Sequence, residues 1–366
     1  MVEWKKLGEL CCIRTGKLNA NAQVENGQYP FFTCDAKPFK IDKYAFDTEA
    51  IMISGNGSQV GHINYYKGKF NAYQRTYVID GFNNINVFYL LHYLKGTMRS
   101  YVMEKSKKGS VPYITLPMLV NFCLPIPSLE EQKRIVGILD TFTDSIENLK
   151  QQIAQRRKQY EHYRDQLLDL EGKDGVEMKT LKELFETRNG YTPSTNNNQF
   201  WDDGTIPWFK MEDIRDNGRI LSDSNLHITP LAVKGKGLFK ANSIILATSA
   251  TIGEHALITV EHLSNQRFTN FYPKKDYVAN INMKFYYYYM FVVDAWCKQH
   301  VKQGNFASVD MSGLYILPIP LPPLSEQQRI VSILDTFEAS ISNLEAQLAQ
   351  RQKQYEYYRN QLLTFE

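Results

Sequence analysis

Apolar residues recur at alternating steps of four and three along two long stretches of the chain. In the first stretch they are Ile135, Leu139, Phe142, Ile146, Leu149, Ile153, Tyr160, Tyr163, Leu167 and Leu170, with Arg156 at one position of the seam. In the second they are Ile330, Leu334, Phe337, Ile341, Leu344, Leu348, Tyr355, Tyr358, Leu362 and Phe365, with Arg351 at the same place. This spacing is the a/d pattern of a coiled coil, and neither stretch contains a proline. The pattern predicts two long helices, with Ser128 and Ser325 close to their N-caps and a Ser128/Glu131 capping box in the first.

The two stretches are copies of one sequence. From Glu131 and from Glu326, 27 of 38 aligned positions are identical without a gap. Upstream the likeness is fainter, and the matched pieces include Arg14–Gly16 with Arg188–Gly190 and Gln74-Arg75 with Gln266-Arg267. The chain therefore consists of two diverged domains, each followed by a nearly constant helix.

We expect the two helices to pair antiparallel. In a parallel pair Arg156 faces Arg351 across an apolar seam, and such an unpaired like-charge contact costs stability. In an antiparallel pair centred on the repeats, each arginine faces about Leu344 or Leu149 instead. The predicted fold class is α+β: two mixed α/β domains separated by a long antiparallel two-helix coiled coil, with pseudo-two-fold symmetry. The predicted boundaries are 1–124 for the first domain, 125–171 for the first helix segment, 172–317 for the second domain and 318–366 for the second helix segment.

Composition narrows the class of protein. With 43% apolar and 22% charged residues among 366, the chain has the make-up of a soluble globular protein, and its net charge of +3 permits nucleic acid without indicating it. The five cysteines form no C-x-x-C pair and are interpreted as free thiols of a reducing cytoplasm. Met1–Leu10 lacks the apolar run of a signal peptide, and the longest apolar run, from Phe285, stops at Asp294, too early to cross a bilayer. We expect a cytoplasmic protein.

Two dipeptides stand at matching places in the two domains. Gln74-Arg75 and Gln266-Arg267 each follow a strand-like stretch. Arginine and glutamine side chains bind the edges of guanine and adenine through paired hydrogen bonds, and recurrence in both domains strengthens this interpretation.

Two polar loops also match, one around Gly109 and one around Gly304. Their candidate phosphate contacts are Lys107 and Lys108 in the first loop and Gln303 and Asn305 in the second. A solvated loop without a ligand explains this composition equally well.

A glycine-rich turn follows the strand-like run that ends at Ser54. When Gln74-Arg75 is laid over Gln266-Arg267, Gly55 and Gly57 fall on Ala247 and Ser249, and only Gly61 keeps its glycine, as Gly253. A phosphate-binding loop depends on its glycines for close backbone approach, so we reject that interpretation. Both copies retain a strand, one glycine and a small polar turn, whose polar residues are Asn56, Ser58, Gln59, Ser249 and Thr251.

Aromatic residues have two predicted roles. The helices that begin near Asn86 and Met283 carry dense aromatic stripes, which we assign to the core. The ends of the long helices carry more aromatic surface than one seam hides, which indicates a surface for a protein partner. The candidate partner contacts are Tyr160, Tyr163, Tyr355 and Tyr358.

Catalytic motifs are missing from the sequence. It contains no phosphate-binding P-loop, no H-E-x-x-H and no Asn-Pro-Pro-Tyr. Asp174, Glu177 and Lys179 have the order of a metal-nuclease site, yet Glu3 and Lys5 repeat the same spacing without the aspartate. We interpret this as the way each domain begins, and predict no catalytic residue and no metal.

The combination of EQ-x-RIV-x-IL at Glu131 and Glu326 with repetition of the whole chain resembles the specificity subunit (S, HsdS-type) of type I restriction–modification systems. The resemblance covers the full sequence. It implies two target recognition domains that each read half of a bipartite, asymmetric double-stranded DNA site, and helices that dock two methyltransferase (M) subunits. It also implies that restriction (R) subunits join the complex. S-adenosylmethionine, ATP and magnesium then belong to the partners, and this chain binds no cofactor.

By the same resemblance, the turns at Gly61 and Gly253 lie on the DNA-facing side, which makes their polar residues candidate DNA contacts: Asn56, Ser58, Gln59, Ser249 and Thr251. The stretches around Tyr29–Phe32 and Ile206–Phe209 lie on that side as well. This adds Tyr29, Phe32, Trp208 and Lys210 to the candidate DNA contacts. An alternative hypothesis is a coiled-coil adaptor whose end domains bind a ligand other than DNA, and a salt-sensitive shift of duplex DNA separates the two.

Overall fold

The structure, a computed structural model, describes residues 2–105, 112–302 and 307–365. The chain forms two compact units: unit 1 comprises Met1–Gln152 with Leu344–Glu366, and unit 2 comprises Ile153–Asn343. Each unit therefore contains one variable domain and one half of each long helix. The predicted boundaries at 124, 171 and 317 describe a different division, into variable and constant sequence, and stay predictions.

The two halves of the chain follow the same order of elements, with additional elements in the second half. The first half of the chain contains β1 (Glu3–Lys6), α1 (Leu7–Leu10), β2 (Cys12–Thr15), β3 (Tyr29–Phe32), β4 (Phe39–Ile41), β5 (Phe46–Ser54), β6 (Ile63–Ala72), β7 (Thr76–Asp80), α2 (Val87–Lys105), α3 (Leu116–Val120), β8 (Cys123–Ile126) and the long helix α4 (Leu129–Leu168). The second half contains β9 (Glu177–Thr180), α5 (Leu181–Leu184), β10 (Phe185–Asn189), β11 (Ile206–Phe209), α6 (Met211–Asn217), β12 (Ile220–Leu221), β13 (His227–Ile228), β14 (Ser243–Ala247), β15 (His255–Ile258), β16 (Leu263–Ser264), β17 (Phe268–Pro273), α7 (Met283–Gln299), β18 (Val301–Lys302), β19 (Ser308–Val309), α8 (Met311–Ile316), β20 (Pro318–Leu321) and the long helix α9 (Leu324–Leu363).

Unit 1 is built on a six-stranded sheet in the order β2-β7-β5-β6-β3-β4, beside the β1-β8 pair. The central strand β5 is apolar on both faces, because the sheet is covered on both. Ile51 and Ile53 pack with helix α2 in one core, whereas Ala50 and Met52 belong to a second core on the opposite face. The alternation of strand side chains thus divides one apolar run between two cores.

Unit 2 repeats this division on a five-stranded sheet in the order β10-β17-β14-β15-β12. Ile244 and Leu246 of β14 pack with helix α7, and Ile245 and Ala247 lie in the core of the other face. The parallel pair β3-β6 of unit 1 also has a counterpart, the parallel pair β11-β16. The two variable domains share a fold despite their divergence.

The aromatic stripes belong to the core, as predicted. Tyr89 of α2 and Tyr286 of α7 are fully buried. Each hydroxyl donates a hydrogen bond to the backbone of the strand that precedes a long helix: Tyr89 to the carbonyl of Pro125 at 2.8 Å, and Tyr286 to the carbonyl of Pro320 at 2.9 Å. A buried tyrosine needs such an acceptor, and these two bonds tie the aromatic helices to the start of the constant segments.

The long helices run antiparallel within each unit, which confirms the prediction. In unit 1 the ring of Phe142, early in α4, stacks on Tyr358, late in α9, with centroids 5.2 Å apart. In unit 2 Tyr163, late in α4, stacks on Phe337, early in α9, at 5.4 Å. One heptad beyond the Phe142–Tyr358 pair, this register places Leu149 opposite Arg351, as expected.

The two seam arginines are accommodated by aromatic rings. The guanidinium of Arg351 lies 5.7 Å from the ring centroid of Phe142, and that of Arg156 lies 5.9 Å from Phe337. A cation over an aromatic face is attracted by the ring quadrupole, so each charge is stabilised in the seam.

The helix starts differ in part from the predicted caps. Ser128 caps α4, since its Oγ accepts a hydrogen bond from the backbone N–H of Glu131 at 3.2 Å. The Glu131 carboxylate, however, pairs with Arg134 at 2.6 Å, so only half of the predicted capping box forms. Ser325 lies close to the helix start, as expected, but it is not the cap: α9 begins at Leu324 and the serine lies inside its first turn.

A buried glutamine joins each variable domain to its constant helix. In unit 1 the fully buried Gln132 accepts a hydrogen bond from the backbone N–H of Asn86 at 2.8 Å and donates one to the carbonyl of Pro127 at 2.9 Å. Asn86 stands directly before α2 and accepts a hydrogen bond from the backbone N–H of Phe88. The glutamine thus fixes the start of the aromatic helix to the start of the long helix.

Gln327 repeats this contact in unit 2. Its side chain accepts from the backbone N–H of Asn282 and donates to the carbonyls of Asn280 and Pro322, each at 2.8 Å. We call the side chains of Gln132 and Gln327 the glutamine clamps. All the partners of both clamps are backbone groups.

No helix among residues 2–105, 112–302 and 307–365 is long and apolar enough to span a membrane. The five cysteines are free, as the sequence predicts.

The clamp in unit 2 can be tested by removing its polar atoms at nearly constant volume. Gln327→Leu leaves three backbone groups at a partly buried junction without this partner, so we expect the free energy of unfolding to fall by about 3 kcal/mol. Gln328→Leu, at the exposed neighbouring position, is the matched control, with a change of about 0.5 kcal/mol or less. Urea titration followed by circular dichroism measures both. Equal changes in the two variants would contradict the role of the clamp.

Candidate nucleic-acid interface

Several loops of unit 1 meet where strands of its sheet end. We call this edge, formed by the loops at 16–19, 33–35, 55–61 and 73–75, the reading edge of unit 1. The backbone hydrogen bonds that tie it together are Gly16 N to Thr76 O at 3.4 Å, Tyr73 N to Phe32 O at 2.9 Å, Gly55 N to Arg75 O at 2.9 Å, Gln74 N to Leu18 O at 2.9 Å and Ile114 N to Gly55 O at 2.8 Å. These bonds involve no side chain, so the exposed side chains of the edge are available for other contacts.

Unit 2 has a reading edge built in the same way, from the loops at 190–192, 248–253 and 265–267 and the segment 307–309. Its backbone hydrogen bonds are Gly190 N to Phe268 O at 3.0 Å, Asn265 N to Phe209 O at 3.0 Å, Thr248 N to Arg267 O at 3.0 Å, Tyr191 N to Ser264 O at 2.8 Å and Val309 N to Thr248 O at 2.9 Å. The same segments are tied together in both units, so residues at equivalent places can be compared directly.

The two Gln-Arg dipeptides occupy exposed turns at the centre of these edges. The amide of Gln74 donates to Asn19 Oδ1 at 2.9 Å, and the amide oxygen of Gln266 accepts from Thr192 Oγ1 at 2.5 Å. Each amide is therefore held in orientation by a neighbouring loop.

The two arginines of these turns keep their charge uncompensated. Within the described part of the chain, neither the Arg75 nor the Arg267 guanidinium has a side-chain partner. Both backbones are fixed, since each arginine carbonyl accepts one of the hydrogen bonds given above. Each edge thus presents a free guanidinium on a fixed backbone beside an oriented amide.

The glycine turn corrects the alignment drawn from sequence. Gly61 N donates to Ser54 O at 2.8 Å, and Gly253 N donates to Ala247 O at 3.2 Å. The structural counterpart of Ser54 is therefore Ala247, which is one residue off the sequence alignment, because the second turn is one residue shorter. Gly57 (φ +82°) then corresponds to Ala250 (φ +66°), not to Ser249.

The retained glycine has a steric cause. Gly61 and Gly253 have φ angles of +79° and +74°, a conformation that favours glycine. A Cβ on Gly253 would also lie 2.7 Å from the carbonyl oxygen of Asp294 in α7. The glycine lets the turn pass close to the aromatic helix, and this agrees with rejecting a phosphate loop.

The polar residues of the first turn reach the surface to different degrees. Ser58 and Gln59 are exposed and Asn56 is half-buried. The amide oxygen of Asn56 accepts a hydrogen bond from Cys34 Sγ at 3.1 Å, and the same thiol lies 3.6 Å from Arg75 O. Sequence reasoning missed Cys34, because no pattern in the chain connects it with residues 55–61.

The candidates of the second turn are less accessible. Ser249 is half-buried and forms a β-bridge with Ser308. The Oγ1 atom of Thr251 is buried and has no hydrogen-bond partner. The hydroxyl of Thr251 is thus directed away from the surface at which a ligand would bind.

The aromatic candidates divide into core and surface. Phe32 and Trp208 are 3% and 6% exposed, and the indole N–H of Trp208 donates to Tyr191 O at 3.0 Å. These two rings support the reading edges from beneath, and contact with a ligand would require the core to open. Tyr29 and Lys210 are half-buried and keep part of their surface.

Four candidates, Lys107, Lys108, Gln303 and Asn305, lie outside the described residues.

The helix tyrosines fall into two matched pairs. Tyr160 donates to Glu338 Oε1 at 3.2 Å, and the Tyr355 hydroxyl lies 2.9 Å from His92 Nδ1, so both hydroxyls are engaged inside their units. Burial raises the pKa of both phenols. Tyr163 and Tyr358 are 46% and 43% exposed although each stacks on a phenylalanine of the opposite helix.

Two polar junctions under the tyrosines escaped sequence reasoning. In unit 1 His92 Nε2 lies 2.9 Å from Asp140 Oδ1, and in unit 2 the Tyr288 hydroxyl donates to Asp335 Oδ1 at 2.5 Å. Burial lowers the pKa of His92, which favours the neutral imidazole. It also raises the pKa of the Glu338 carboxyl beside Tyr288. The recurrence of the aspartate in both helix copies was the available signal.

The residues of the nuclease-like pattern form an ordinary ion pair. Lys179 Nζ lies 3.2 Å from Glu177 Oε2 on strand β9, and Lys5 and Glu3 form the equivalent pair at 2.9 Å on β1. Within residues 2–105, 112–302 and 307–365 no group of three or more His, Cys, Asp or Glu side chains is arranged to hold a metal ion.

Comparison with known families gives two matches along the chain. Residues 1–156 and 173–352 each match the family described as type I restriction modification DNA specificity domain. Together these matches cover most of the sequence, and each includes one variable domain with most of one long helix.

Individual relatives agree with the family match. The specificity subunit of the type I restriction enzyme EcoR124I/EcoR124II from Escherichia coli is 39% identical over 320 residues, covering 82% of this chain and 76% of that protein. The EcoprrI specificity subunit, also from E. coli, is 50% identical over 205 residues, covering 52% of this chain and 51% of that protein. The latter alignment spans about half of that relative.

Solved structures share the fold along the whole length. A type I restriction–modification S subunit from M. genitalium superposes with a TM-score of 0.61 at 15% identity, covering 100% of this chain and 97% of that one. A chain from a study of complex assembly and conformational transition of the type I R-M system superposes with a TM-score of 0.66 at 16% identity, covering 99% and 97%.

Proposed function

Because the chain belongs to the family of type I restriction–modification DNA specificity subunits, we propose that its two reading edges each recognise one half of a bipartite, asymmetric DNA site. The chain contributes sequence recognition and no catalytic residue. Chemistry on the DNA then belongs to the subunits with which it assembles.

The matched Gln-Arg turns carry this proposal. Each turn presents an oriented amide and a free guanidinium, side chains that form paired hydrogen bonds with adenine and guanine in the major groove. Their scaffold is made of backbone hydrogen bonds, so the neighbouring side chains can change without loss of the fold. Such an edge suits a protein that must read different sequences with one architecture.

The constant helices fit the docking of two methyltransferase subunits, one at each copy. A surface that serves two identical partners is expected to stay the same, and 27 of 38 positions are identical between the copies. Tyr163 and Tyr358 are exposed aromatic residues on these helices, and aromatic residues are enriched at protein interfaces. In the assembled complex the methyltransferase subunits would bind S-adenosylmethionine, and restriction subunits would bind ATP and magnesium.

The division of the DNA site between the two edges predicts a specific pattern of losses. Arg75→Ala and Arg267→Ala each remove one proposed base contact. Each is therefore expected to weaken binding to duplex DNA that contains the recognition site by about 1–3 kcal/mol, or about 5- to 150-fold. Fluorescence anisotropy with the methyltransferase-bound chain and with duplexes altered in one half-site measures the effect. The affinity of each variant should no longer depend on the sequence of one half-site and should still depend on the other. The half-site that loses its effect should differ between the two arginine variants.

The matched controls are Arg134→Ala and Arg329→Ala, which remove an ion-paired arginine from the start of each long helix. Both should bind DNA like the unaltered chain. If all four variants bind equally, or if both reading-edge variants respond to the same half-site, the proposed reading edges are wrong. If the unaltered chain binds no duplex DNA, the adaptor hypothesis is favoured.

Partner docking is tested at the exposed helix tyrosines. Tyr163→Lys and Tyr358→Lys place a charge where we expect an aromatic contact to be desolvated, so assembly with methyltransferase subunits should weaken at least about tenfold, or 1.4 kcal/mol. Leu231→Lys changes a 68% exposed apolar residue away from the helices and is the control. Titration calorimetry gives the affinity, and thermal melting checks the fold. Unchanged affinity in folded tyrosine variants would contradict docking at this surface.

A further inference from the structure

Unit 2 contains a basic groove that none of the candidate contacts uses. It has a volume of about 470 Å³ and lies between strands β10 and β17 and the loop at 236–240. Its cationic side chains are Lys182, Arg188, Lys236, Lys240 and Lys274, and Glu186 is the only carboxylate among its described lining residues. We call this feature the basic groove.

Two of the groove cations, Arg188 and Lys240, contact aromatic rings, and Arg188 also contacts a carbonyl. The Arg188 guanidinium lies 4.1 Å from the ring centroid of Phe239 and donates one hydrogen bond, to Gly237 O at 2.8 Å. A guanidinium has five N–H donors, so further donors remain for an anion. The Lys240 ammonium lies 4.4 Å from the ring centroid of Tyr272.

These contacts fix the positions of the charges without neutralising them. Among the described residues, no carboxylate lies within ion-pair distance of Lys182, Arg188, Lys236, Lys240 or Lys274. The groove is therefore prepared for an anion that the chain itself does not supply.

The equivalent place in unit 1 has a different charge pattern, and a single exchange explains much of the difference. Strand pairing places Asp80 of β7 opposite Cys12, and the equivalent pair in unit 2 is Tyr272 opposite Glu186. In unit 1 Arg14, the counterpart of Arg188, forms an ion pair with Asp80. In unit 2 a tyrosine replaces that aspartate, and the arginine keeps its charge.

Two of the lysines have uncharged counterparts in unit 1. Gly8 is the counterpart of Lys182, because each is the second residue of the short helix after the first strand. Phe82 is the counterpart of Lys274, because each lies two residues beyond the Asp80 or Tyr272 position. At these places the second variable domain therefore carries positive charges that are absent or ion-paired in the first.

The groove is continuous with the reading edge of unit 2. Strand β17 begins at Phe268, directly after Arg267, and ends at Pro273, directly before Lys274. Six residues at about 3.3 Å each extend roughly 20 Å, which is close to six base-pair steps of one DNA strand at about 3.4 Å. A duplex read by Arg267 would therefore extend far enough to bring phosphates to the groove at the other end of this strand.

We propose that the basic groove binds the phosphate backbone of DNA beside the half-site read by unit 2. The inference rests on the proposed function, because it requires DNA at the reading edge. It makes the two domains unequal: both read bases, and the second also contributes most of the sequence-independent, salt-dependent attraction.

The test uses the double variant Lys236→Ala/Lys240→Ala in the complex with methyltransferase subunits. Both side chains are exposed, so the fold should be unaffected. Each lost phosphate contact lowers the slope of log K against log salt by about 0.9, so we expect a slope smaller by about 1.8. Raising KCl from about 50 to 200 mM should then weaken the variant about tenfold less than the unaltered protein. The preference for target over non-target duplex should stay the same, because phosphates carry no sequence information.

Lys5→Ala/Lys6→Ala in unit 1 is the charge-matched control and should keep the original slope. Ethylation interference locates the contacts: the groove variant should lose sensitivity at phosphates of one half-site only. An unchanged slope in the groove variant, with normal specific binding by the unaltered protein, overturns this inference and leaves the proposed function standing. Weaker assembly with methyltransferase in the absence of DNA also overturns it, in favour of an acidic protein surface. Absence of specific binding by the unaltered protein would instead contradict the proposed function itself.

Discussion

The architecture depends on the two glutamine clamps, because they join a variable domain to a constant helix through backbone groups alone. Gln132 bonds to the N–H of Asn86 and the carbonyl of Pro127, and Gln327 bonds to equivalent groups. A side chain that recognises only backbone places no demand on the sequence it holds. The hydroxyls of Tyr89 and Tyr286 follow the same rule, since they also donate to strand carbonyls. The attachment can therefore stay constant while the domain changes. The clamp side chains themselves are fully buried and hydrogen-bonded, and a buried polar group without a partner is costly.

The same separation continues at the reading edges. Their loops are tied by matched backbone hydrogen bonds, and the side chains that they present differ between the units. The exchange of Asp80 for Tyr272 shows how far one residue changes the surface, because it releases Arg188 from an ion pair and creates the basic groove. Divergence thus changes the exposed side chains and the electrostatics of the edges, while Ile51 and Ile244 keep equivalent places in the two cores. The two domains are related readers with different electrostatic character.

Sequence predicted the long helices, their antiparallel register and the buried aromatic stripes, because these follow from local periodicity and from repetition within one chain. It also placed both Gln-Arg turns, whose identity survives divergence. Sequence alone did not show which residues the fold buries, and Phe32 and Trp208 lie in the core beneath the edges. It also did not show that the turn at 248–253 is one residue shorter than the alignment assumed. Cys34 and the basic groove were missed because their residues are distant in sequence and follow no period. Glu131 pairs with Arg134 instead of closing the capping box, a competition between two nearby partners that sequence alone does not resolve.

The central claim is that recognition is modular, with one half of the DNA site read by each variable domain. It is tested most directly by replacing residues 1–124 with the matching domain of another specificity subunit and mapping methylated adenines in cells that carry the complex. The account predicts that one half of the bipartite site changes to the donor's sequence and the other half is retained. A methylation site that stays the same in both halves after the replacement, or that changes in both, would contradict it.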